Sequence, residues 1–181
     1  MANSNEKVRS IATRRGDTGE TDLLYGKRVP KSDPQIEATG ALDELSSALA
    51  MAKATASLDA TKEQLERIQV DLIALSGEIS TPADALERYR ESKFPKISDV
   101  HLQRLDQELE AAEKTVPKLN DWALPGRTVL EATLEISRSH ARKAERRLVA
   151  LKENRFPLRP VLLQYLNRLS DLLWLLAKKA A

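Results

Sequence analysis

Leucine and alanine recur at intervals of three and four residues along most of the chain, the spacing that places side chains on one face of an α-helix. Asp33 and Pro34 are typical of a helix start, and the pattern behind them predicts a first helix over residues 34–56. A second helix is expected after Asp59, ending at Thr81-Pro82, with an apolar seam of Leu65, Ile68, Leu72, Leu75 and Ile79. Such a narrow seam favours helices that pack at small crossing angles.

Three further helices are expected in the second half of the chain. Ser98 and Asp99 can cap the third, which ends before Pro117, whereas the charged stretch 83–97 is expected to be a connecting segment. The fourth follows the Leu124-Pro125-Gly126 turn with the most regular repeat: Leu130, Leu134, Ser137, Ala141, Ala144, Leu148 and Leu151. The fifth begins near residues 157–160 and carries Leu162, Leu166, Leu169, Leu173 and Leu176. The pattern therefore predicts an all-α fold, an antiparallel five-helix bundle.

The first 33 residues differ from the rest of the chain. They contain three of the six glycines, Gly16, Gly19 and Gly26, with many charges and no sustained periodicity. We expect an extended N-terminal loop or arm over residues 1–33 and the bundle over residues 34–181. A length of 181 residues suits a single domain made of these two parts.

Composition narrows the classes of function. The chain has no cysteine, which excludes disulfides, thiolate metal sites and thiol nucleophiles. Its 29 Lys and Arg against 27 Asp and Glu leave a net charge of +2, a balance that argues against a nucleic-acid partner. No stretch reaches the roughly 20 apolar residues of a membrane span, and the start of the chain lacks a signal-peptide core. We therefore expect a cytoplasmic protein without a nucleic-acid or membrane partner.

Polar stripes accompany the apolar seams of the last two helices. The fourth helix carries Arg138, Arg142, Glu145 and Arg146 along one flank. The fifth carries Asn167, Ser170, Asp171 and Trp174. Guanidinium forks match phosphate oxygens, and carboxylate or amide oxygens suit a hard cation, so the stripes fit a polyphosphate with bound Mg²⁺. A solvated helix edge with i,i+4 ion pairs explains the same spacing, and both interpretations stay open.

The N-terminal arm offers a second candidate for phosphate binding. Its glycines lie three residues apart among hydroxyls and an arginine, in the run Thr13, Arg14, Arg15, Gly16, Asp17, Thr18, Gly19, Glu20 and Thr21. Glycine lets backbone N–H groups approach an anion closely, so such a loop can cradle phosphate. The run lacks the Gly-Lys-Ser/Thr ending of a Walker motif. An ordinary turn is the alternative.

Several blocks occur in a fixed order along the chain and together resemble one family. They are the arm motif above, Arg28-Val29-Pro30-Lys31-Ser32-Asp33, Leu124-Pro125-Gly126, Arg138…Arg142-Lys143-Ala144-Glu145-Arg146 and Tyr165-Leu166-Asn167-Arg168-Leu169-Ser170-Asp171. From about Ile11 to Ala177 the chain resembles the PduO-type ATP:cob(I)alamin adenosyltransferases. The resemblance implies a ferritin-like, cobalamin adenosyltransferase-like five-helix bundle that forms a homotrimer, with active sites between adjacent subunits.

The resemblance also implies roles for individual residues. ATP would contact Thr13, Arg14, Gly16, Asp17, Gly19, Thr21, Lys31, Arg142, Glu145 and Asn167. Mg²⁺ would lie near Glu145 and Asn167, and the residues that support catalysis would be Asp43, Arg138 and Arg142. Asp43 and Arg138 match a pair that meets across the subunit boundary in the family. The corrinoid would contact Trp122, Ser170 and Asp171.

The implied reaction is a substitution at carbon. Co(I) of the reduced corrinoid, cob(I)alamin, attacks the 5′-carbon of ATP and triphosphate leaves, so positive charge is needed near the leaving group. A reductase and an adenosylcobalamin-dependent enzyme are possible partners. Trp122 and Arg127 depart from the family pattern near the corrinoid, and Lys143 replaces an arginine. Two alternatives follow: a non-catalytic trimer that binds or carries ATP or corrinoid, and a purely structural bundle.

Overall fold

The computed structural model describes residues 12–116 and 124–181. Within these ranges the chain is almost entirely helical, with a small two-stranded sheet in the N-terminal arm. The elements are β1 (Glu20–Asp22), β2 (Arg28–Pro30), α1 (Pro34–Thr55), α2 (Asp59–Ile79), α3 (Leu86–Glu91), α4 (Asp99–Glu113), α5 (Val129–Glu153) and α6 (Pro160–Lys179). The all-α prediction is therefore confirmed, and the five expected helices correspond to α1, α2, α4, α5 and α6.

The helix count needs a correction, because the segment expected to be only a connection contains the short helix α3. Leu86 and Tyr89 lie three residues apart and are both buried, so they face inward together. The Tyr89 hydroxyl donates hydrogen bonds to the carbonyls of Ala74 at 3.2 Å and Pro95 at 3.0 Å. The many charges of this segment lie on the opposite face and conceal the inward pair in the sequence.

The N-terminal arm is more ordered than its sequence predicts. β1 and β2 pair antiparallel, with Thr21 opposite Val29, and a short 3-10 turn at Leu24–Gly26 joins them. The Leu24 N–H donates to the Ser80 carbonyl at 2.8 Å, which ties the arm to the end of α2. Asp33 caps α1 by accepting a hydrogen bond from the Gln35 N–H. The arm therefore leads into the bundle at one defined place.

The long helices pack side by side in the order α2, α1, α5, α6 and α4. α1 and α5 are antiparallel, since Glu37 pairs with Arg147 near one end and Thr55 contacts Thr133 near the other. The seam leucines of both helices are buried except Leu130, which is half-buried, and Leu45, Leu49 and Leu148 are fully buried. Each such side chain contributes on the order of 2 kcal/mol by leaving water. This packing fixes which faces of α5 and α6 remain at the surface.

The described helices were also compared with the requirements of a bilayer span. Among residues 12–116 and 124–181, no helix combines the length and the apolar character needed to cross a membrane.

Candidate functional site

The glycine loop of the arm folds around Lys31. The Gly19 N–H donates to the Gly16 carbonyl at 3.2 Å, and the Lys31 N–H donates to the Gly19 carbonyl at 2.8 Å. Gly19 has a φ of +84°, a conformation that side chains disfavour. A Cβ at Gly16 would lie 3.1 Å from Lys31 Nζ, so glycine there leaves room for the ammonium group. The structure thus brings Lys31, which follows β2, next to Gly16 and Gly19, which precede β1.

The remaining arm residues named from the sequence surround this loop. Arg14 adopts a φ of 57°, and its carbonyl accepts a hydrogen bond from the Asp17 N–H at 3.3 Å. Thr13 and Arg14 are exposed, and Thr21 lies in β1. No ion pair holds Arg14 or Lys31 among the residues that the structure describes, so both cations are available to an anion.

A groove between α4, α5 and α6 collects most of the second group of candidate residues. It has a volume of about 420 Å³, and its lining includes Arg138, Arg142, Ser170, Asp171 and Trp174. Arg142 is exposed, and within residues 12–116 and 124–181 it forms no ion pair. Arg138 has only a long contact, 3.8 Å from its Nε to Glu135 Oε2. The groove therefore presents two guanidinium groups without a close ion pair among the described residues, together with the carboxylates of Glu113 and Asp171.

Glu145 and Asn167, which the family resemblance places together, lie within contact distance of each other near this groove. Asn167 Nδ2 donates to Glu145 Oε1 at 3.4 Å, and the Ser170 hydroxyl donates to the Asn167 carbonyl at 2.9 Å. In the described parts of the chain, no three His, Cys, Asp or Glu side chains cluster as a metal cage. Mg²⁺ commonly takes only one or two carboxylates and completes its shell with water and substrate phosphates. One carboxylate and one amide oxygen fit that mode of binding.

Asp43 lies in a different groove. That groove, of about 360 Å³, is formed by the arm, α1 and α2, and Leu24, Ser46 and Gly77 also line it. Burial raises the pKa of Asp43 above its ordinary value. No cation pairs with Asp43 among the described residues. Within one chain the structure therefore does not bring Asp43 to Arg138.

Lys143 turns away from the arginine stripe. It faces α1, where its ammonium group pairs with Glu44, and His140 Nδ1 lies 3.3 Å from the same carboxylate. The hydrogen bond from Lys143 lowers the pKa of Glu44. Lys143 thus makes a contact between α1 and α5 and does not line the groove.

Sequence reasoning missed a buried acidic residue at the start of α5. Glu131 Oε2 accepts hydrogen bonds from the N–H groups of Arg127 at 2.7 Å and Gly126 at 3.2 Å, while Thr128 Oγ1 accepts from the Glu131 N–H. Burial alone would raise the pKa of Glu131, but these backbone donors and the charge of Lys178 outweigh it and lower the pKa. The Thr-x-x-Glu signature of a capping box was the available signal.

One corrinoid candidate cannot be placed. Trp122 lies outside the described residues, which resume at Leu124. Of the other two, Asp171 is exposed at the groove, whereas Ser170 is only 2% exposed and its hydroxyl is engaged with Asn167. The Ser170 hydroxyl is thus used within α6, on the backbone carbonyl of the preceding turn.

Comparison with known proteins identifies the family of the chain. The family model described as cobalamin adenosyltransferase matches residues 11–180. The corrinoid adenosyltransferase PduO of Citrobacter freundii is 38% identical over 169 residues, which are 93% of this chain and 49% of the relative. The corrinoid adenosyltransferase of Mycobacterium leprae is 37% identical, covering 94% of this chain and 90% of the relative. The chain therefore spans about half the length of the PduO relative but nearly all of the shorter one.

Solved structures give the same answer for the fold. A Phe-to-Ala variant of the PduO-type ATP:corrinoid adenosyltransferase from Lactobacillus reuteri, complexed with cobalamin and ATP, superposes with a TM-score of 0.85. It is 30% identical, and the match covers 94% of this chain and 93% of that one. An Arg-to-Lys variant of the same protein, complexed with ATP, gives a TM-score of 0.83. The chain belongs to the cobalamin adenosyltransferase family.

Proposed function

We propose that this protein transfers the 5′-deoxyadenosyl group of ATP to Co(I) of a reduced corrinoid, forming adenosylcobalamin and releasing triphosphate. The observation that carries this proposal is the groove of α4, α5 and α6, where Arg138 and Arg142 lie beside the Glu145–Asn167 pair. Membership of the cobalamin adenosyltransferase family supports it. The relatives are named as adenosyltransferases, which does not favour the alternative of a non-catalytic carrier.

ATP binding would use both clusters of uncompensated cations. Arg14 and Lys31 of the arm, with the N–H groups of the glycine loop, suit the oxygens of a triphosphate. Arg142 adds a guanidinium fork, and Glu145 with Asn167 supplies oxygens for a Mg²⁺ ion that would also bind the phosphates. Mg²⁺, when bound, would withdraw electron density from the phosphates and ease the departure of triphosphate.

The reaction needs no general base from the protein. The electron pair of Co(I) forms the cobalt–carbon bond to C5′, and the C5′–O5′ bond breaks with its electron pair on the triphosphate. Cobalt is thereby oxidised from Co(I) to Co(III), and no proton moves in this step. The rate then depends on alignment and on positive charge near the developing triphosphate, which Arg14, Lys31 and the groove arginines supply.

We further propose that the active site forms between copies of the chain in a homotrimer. The arm and Asp43 lie on the face of α1 and α2, whereas Arg138 and Arg142 lie on the face of α4, α5 and α6. Asp43 has a pKa raised by burial and no cation beside it among the described residues. Arg138 of an adjacent copy would supply that cation and would itself gain a carboxylate partner.

The corrinoid would lie against Asp171 and the segment that contains Trp122. An aromatic wall on the lower face of the corrinoid would displace the axial base and make cobalt easier to reduce. The proposed location of the activity is the cytoplasm. A reductase would supply Co(I), and an adenosylcobalamin-dependent enzyme would receive the product.

The test is an anaerobic spectroscopic assay of the purified protein with Mg-ATP and chemically reduced cobalamin. The proposal predicts loss of the Co(I) band, with adenosylcobalamin and triphosphate formed in equal amounts. Persistent Co(I) despite measurable ATP binding would contradict it and would favour a carrier. If Arg142→Ala left ATP and corrinoid binding unchanged, the arginine stripe would be only a solvated edge.

A further inference from the structure

Lys178, near the end of α6, is buried between two carboxylates of α5. Its side chain is only 7% exposed, and its Nζ lies 3.1 Å from Glu135 Oε1 and 3.9 Å from Glu131 Oε1. The Trp174 ring, which lines the groove, has its centroid 5.9 Å from the same nitrogen. A lysine is almost never buried this deeply without a specific set of partners. Lys178 therefore occupies a defined position between α5 and α6.

The first carboxylate connects Lys178 to the turn that precedes α5. Glu131 is 1% exposed, and its Oε2 holds the N–H groups of Gly126 and Arg127 while its Oε1 faces Lys178. Thr128 adds a second link, since its hydroxyl donates to the Ala180 carbonyl at 2.8 Å. The turn is thus fastened to the end of α6 from two sides.

The second carboxylate connects Lys178 to the groove. Glu135 Oε1 faces Lys178, and its other oxygen, Oε2, lies 3.8 Å from Arg138 Nε. Glu135 is itself largely buried, with a side chain 17% exposed, so its position is set by its neighbours. Arg138 lies one turn further along α5, at the groove that it lines with Asp171 and Trp174. The contacts therefore run without a break from the turn to Arg138.

The charges of this row alternate in sign and sum to zero. Glu131 and Glu135 are negative, while Lys178 and Arg138 are positive. The two carboxylates lie one turn apart on α5. Without Lys178 they would repel each other across a buried space. Glu135 would then have only Arg138 as a neighbouring cation and would draw its guanidinium away from the mouth of the groove. Lys178 thus determines how strongly Glu135 holds Arg138.

We propose that Lys178 is a positioning residue for the adenosyl transfer: with Glu131 and Glu135 it sets both the turn before α5 and the guanidinium of Arg138. This inference rests on the proposed function, in which Arg138 supports catalysis. A purely structural role for the same residues would stabilise the end of α6 without affecting Arg138. The two roles predict different results for a folded variant. Loss of a positioning residue lowers its turnover, whereas loss of a purely structural residue lowers only its stability.

The decisive variant is Lys178→Met, which keeps the length of the side chain and removes its charge. The matched control is Lys179→Met, which removes the same charge from the next, exposed position of α6. Both are assayed for kcat, for KM of ATP and of corrinoid, and for thermal stability. Because a misplaced group in an active site lowers the rate more than binding, we expect Lys178→Met to lower kcat about tenfold, with KM of ATP within about twofold. Lys179→Met leaves kcat unchanged, and Lys178→Arg restores most of it.

Coupling to Arg138 is tested in a double-mutant cycle. If Lys178 acts through Arg138, Lys178→Met causes little further loss of kcat in an Arg138→Ala background. Two outcomes would overturn the inference. One is a further tenfold loss of kcat when Lys178→Met is added to Arg138→Ala. The other is a kcat within twofold of wild type for Lys178→Met alone. A lower melting temperature with unchanged kcat would show the purely structural role.

A readout without turnover separates this inference from the proposed function. The side-chain Nε–H resonance of Arg138, assigned by its loss in Arg138→Lys, should shift in Lys178→Met and stay in place in Lys179→Met. If wild-type protein shows no adenosyl transfer but this shift occurs, the proposed function fails and the positioning of Arg138 stands. If wild-type protein turns over normally and the Arg138 resonance does not move in Lys178→Met, the positioning role is wrong.

Discussion

Two of the polar clusters in this bundle differ in how their charges are balanced. In the first, Asp71 of α2 is 5% exposed and accepts hydrogen bonds from Arg104 of α4 and from the Tyr165 hydroxyl of α6. In the second, Arg142 has no partner among the described residues. A cluster that satisfies itself holds helices together, whereas a cluster without internal ion pairs leaves its charge to solvent or to a ligand.

The first cluster shows what a closed network does to its members. Burial raises the pKa of Tyr165 well above its ordinary value, and the negative charge of Asp71 raises it further. The phenol therefore stays a hydrogen-bond donor at any physiological pH. His101 extends the cluster, since its Nδ1 accepts from the Ser98 N–H at the start of α4 while its Nε2 lies 3.8 Å from Asp71. These groups fix the positions of α2, α4 and α6.

The largest effect on activity is expected from Arg142→Ala. If this arginine compensates charge on the triphosphate, its loss should lower kcat about 100-fold or more, the range found for removing one preorganised stabilising group. Its exposed side chain makes no described ion pair, so the melting temperature should stay close to that of wild type. Arg147→Ala is the control, because it removes an exposed arginine of the same helix that pairs with Glu37. Equal kinetics for both variants would mean that the groove does not bind substrate.

Asp71→Ala is expected to lower stability and to leave turnover nearly unchanged, the reverse of Arg142→Ala. It leaves Arg104 and the buried Tyr165 hydroxyl without their partner and should reduce the free energy of unfolding by about 3 kcal/mol. Turnover per folded molecule should stay within twofold of wild type. Chemical denaturation measures the first quantity, and the cobalamin assay at a temperature where the variant is folded measures the second. Glu63→Ala, an exposed change on the same helix, should cost less than about 0.5 kcal/mol. A large kinetic defect in Asp71→Ala would remove the distinction between the clusters.

A smaller effect is expected from the pair that we propose to meet between copies. Asp43→Asn and Arg138→Ala should each lower turnover about tenfold, equivalent to roughly 1.4 kcal/mol. The double variant should be no worse than the less active single variant, because the two groups act as a unit. Steady-state kinetics of the three variants decides this. Losses that multiply would show that the two residues act independently.

The smallest expected effect is a pH-dependent change in stability that comes from Glu131, beside the turn before α5. The pKa of Glu131 is lowered from its ordinary value of 4.5 in the folded protein, so its charge adds stability above that value and this stability is lost as pH falls through the folded pKa. Thermal unfolding of wild type and Glu131→Gln should therefore differ near neutral pH and converge in acid. A difference that does not depend on pH would mean that the charge of Glu131 contributes nothing and only its hydrogen bonds matter.

The sequence predicts the long helices well because their apolar residues follow a simple period. It hides α3, where Leu86 and Tyr89 are the only inward residues among many charges, and it hides β1 and β2, which are too short to show alternation. Spacing placed Glu145 and Asn167 each on the polar stripe of its own helix, and only the family resemblance put the two residues together. The contact between Lys178 and Glu131, like that between Glu145 and Asn167, depends on how α5 and α6 are aligned, so the spacing along one helix does not reveal it. The separation of Asp43 from Arg138 likewise required the packed structure.

The central claim is that the uncompensated charges of the arm and of the groove meet between two copies of the chain. Mixing subunits tests it most directly: Lys31→Ala impairs only the arm half of a site, and Arg142→Ala impairs only the groove half. Each variant alone should be nearly inactive. After joint refolding in equal amounts, random assortment in a trimer leaves about a quarter of the interfaces with two intact halves, so roughly that fraction of wild-type activity should return. Activity no greater than the sum of the separate variants would show that each chain forms its site alone.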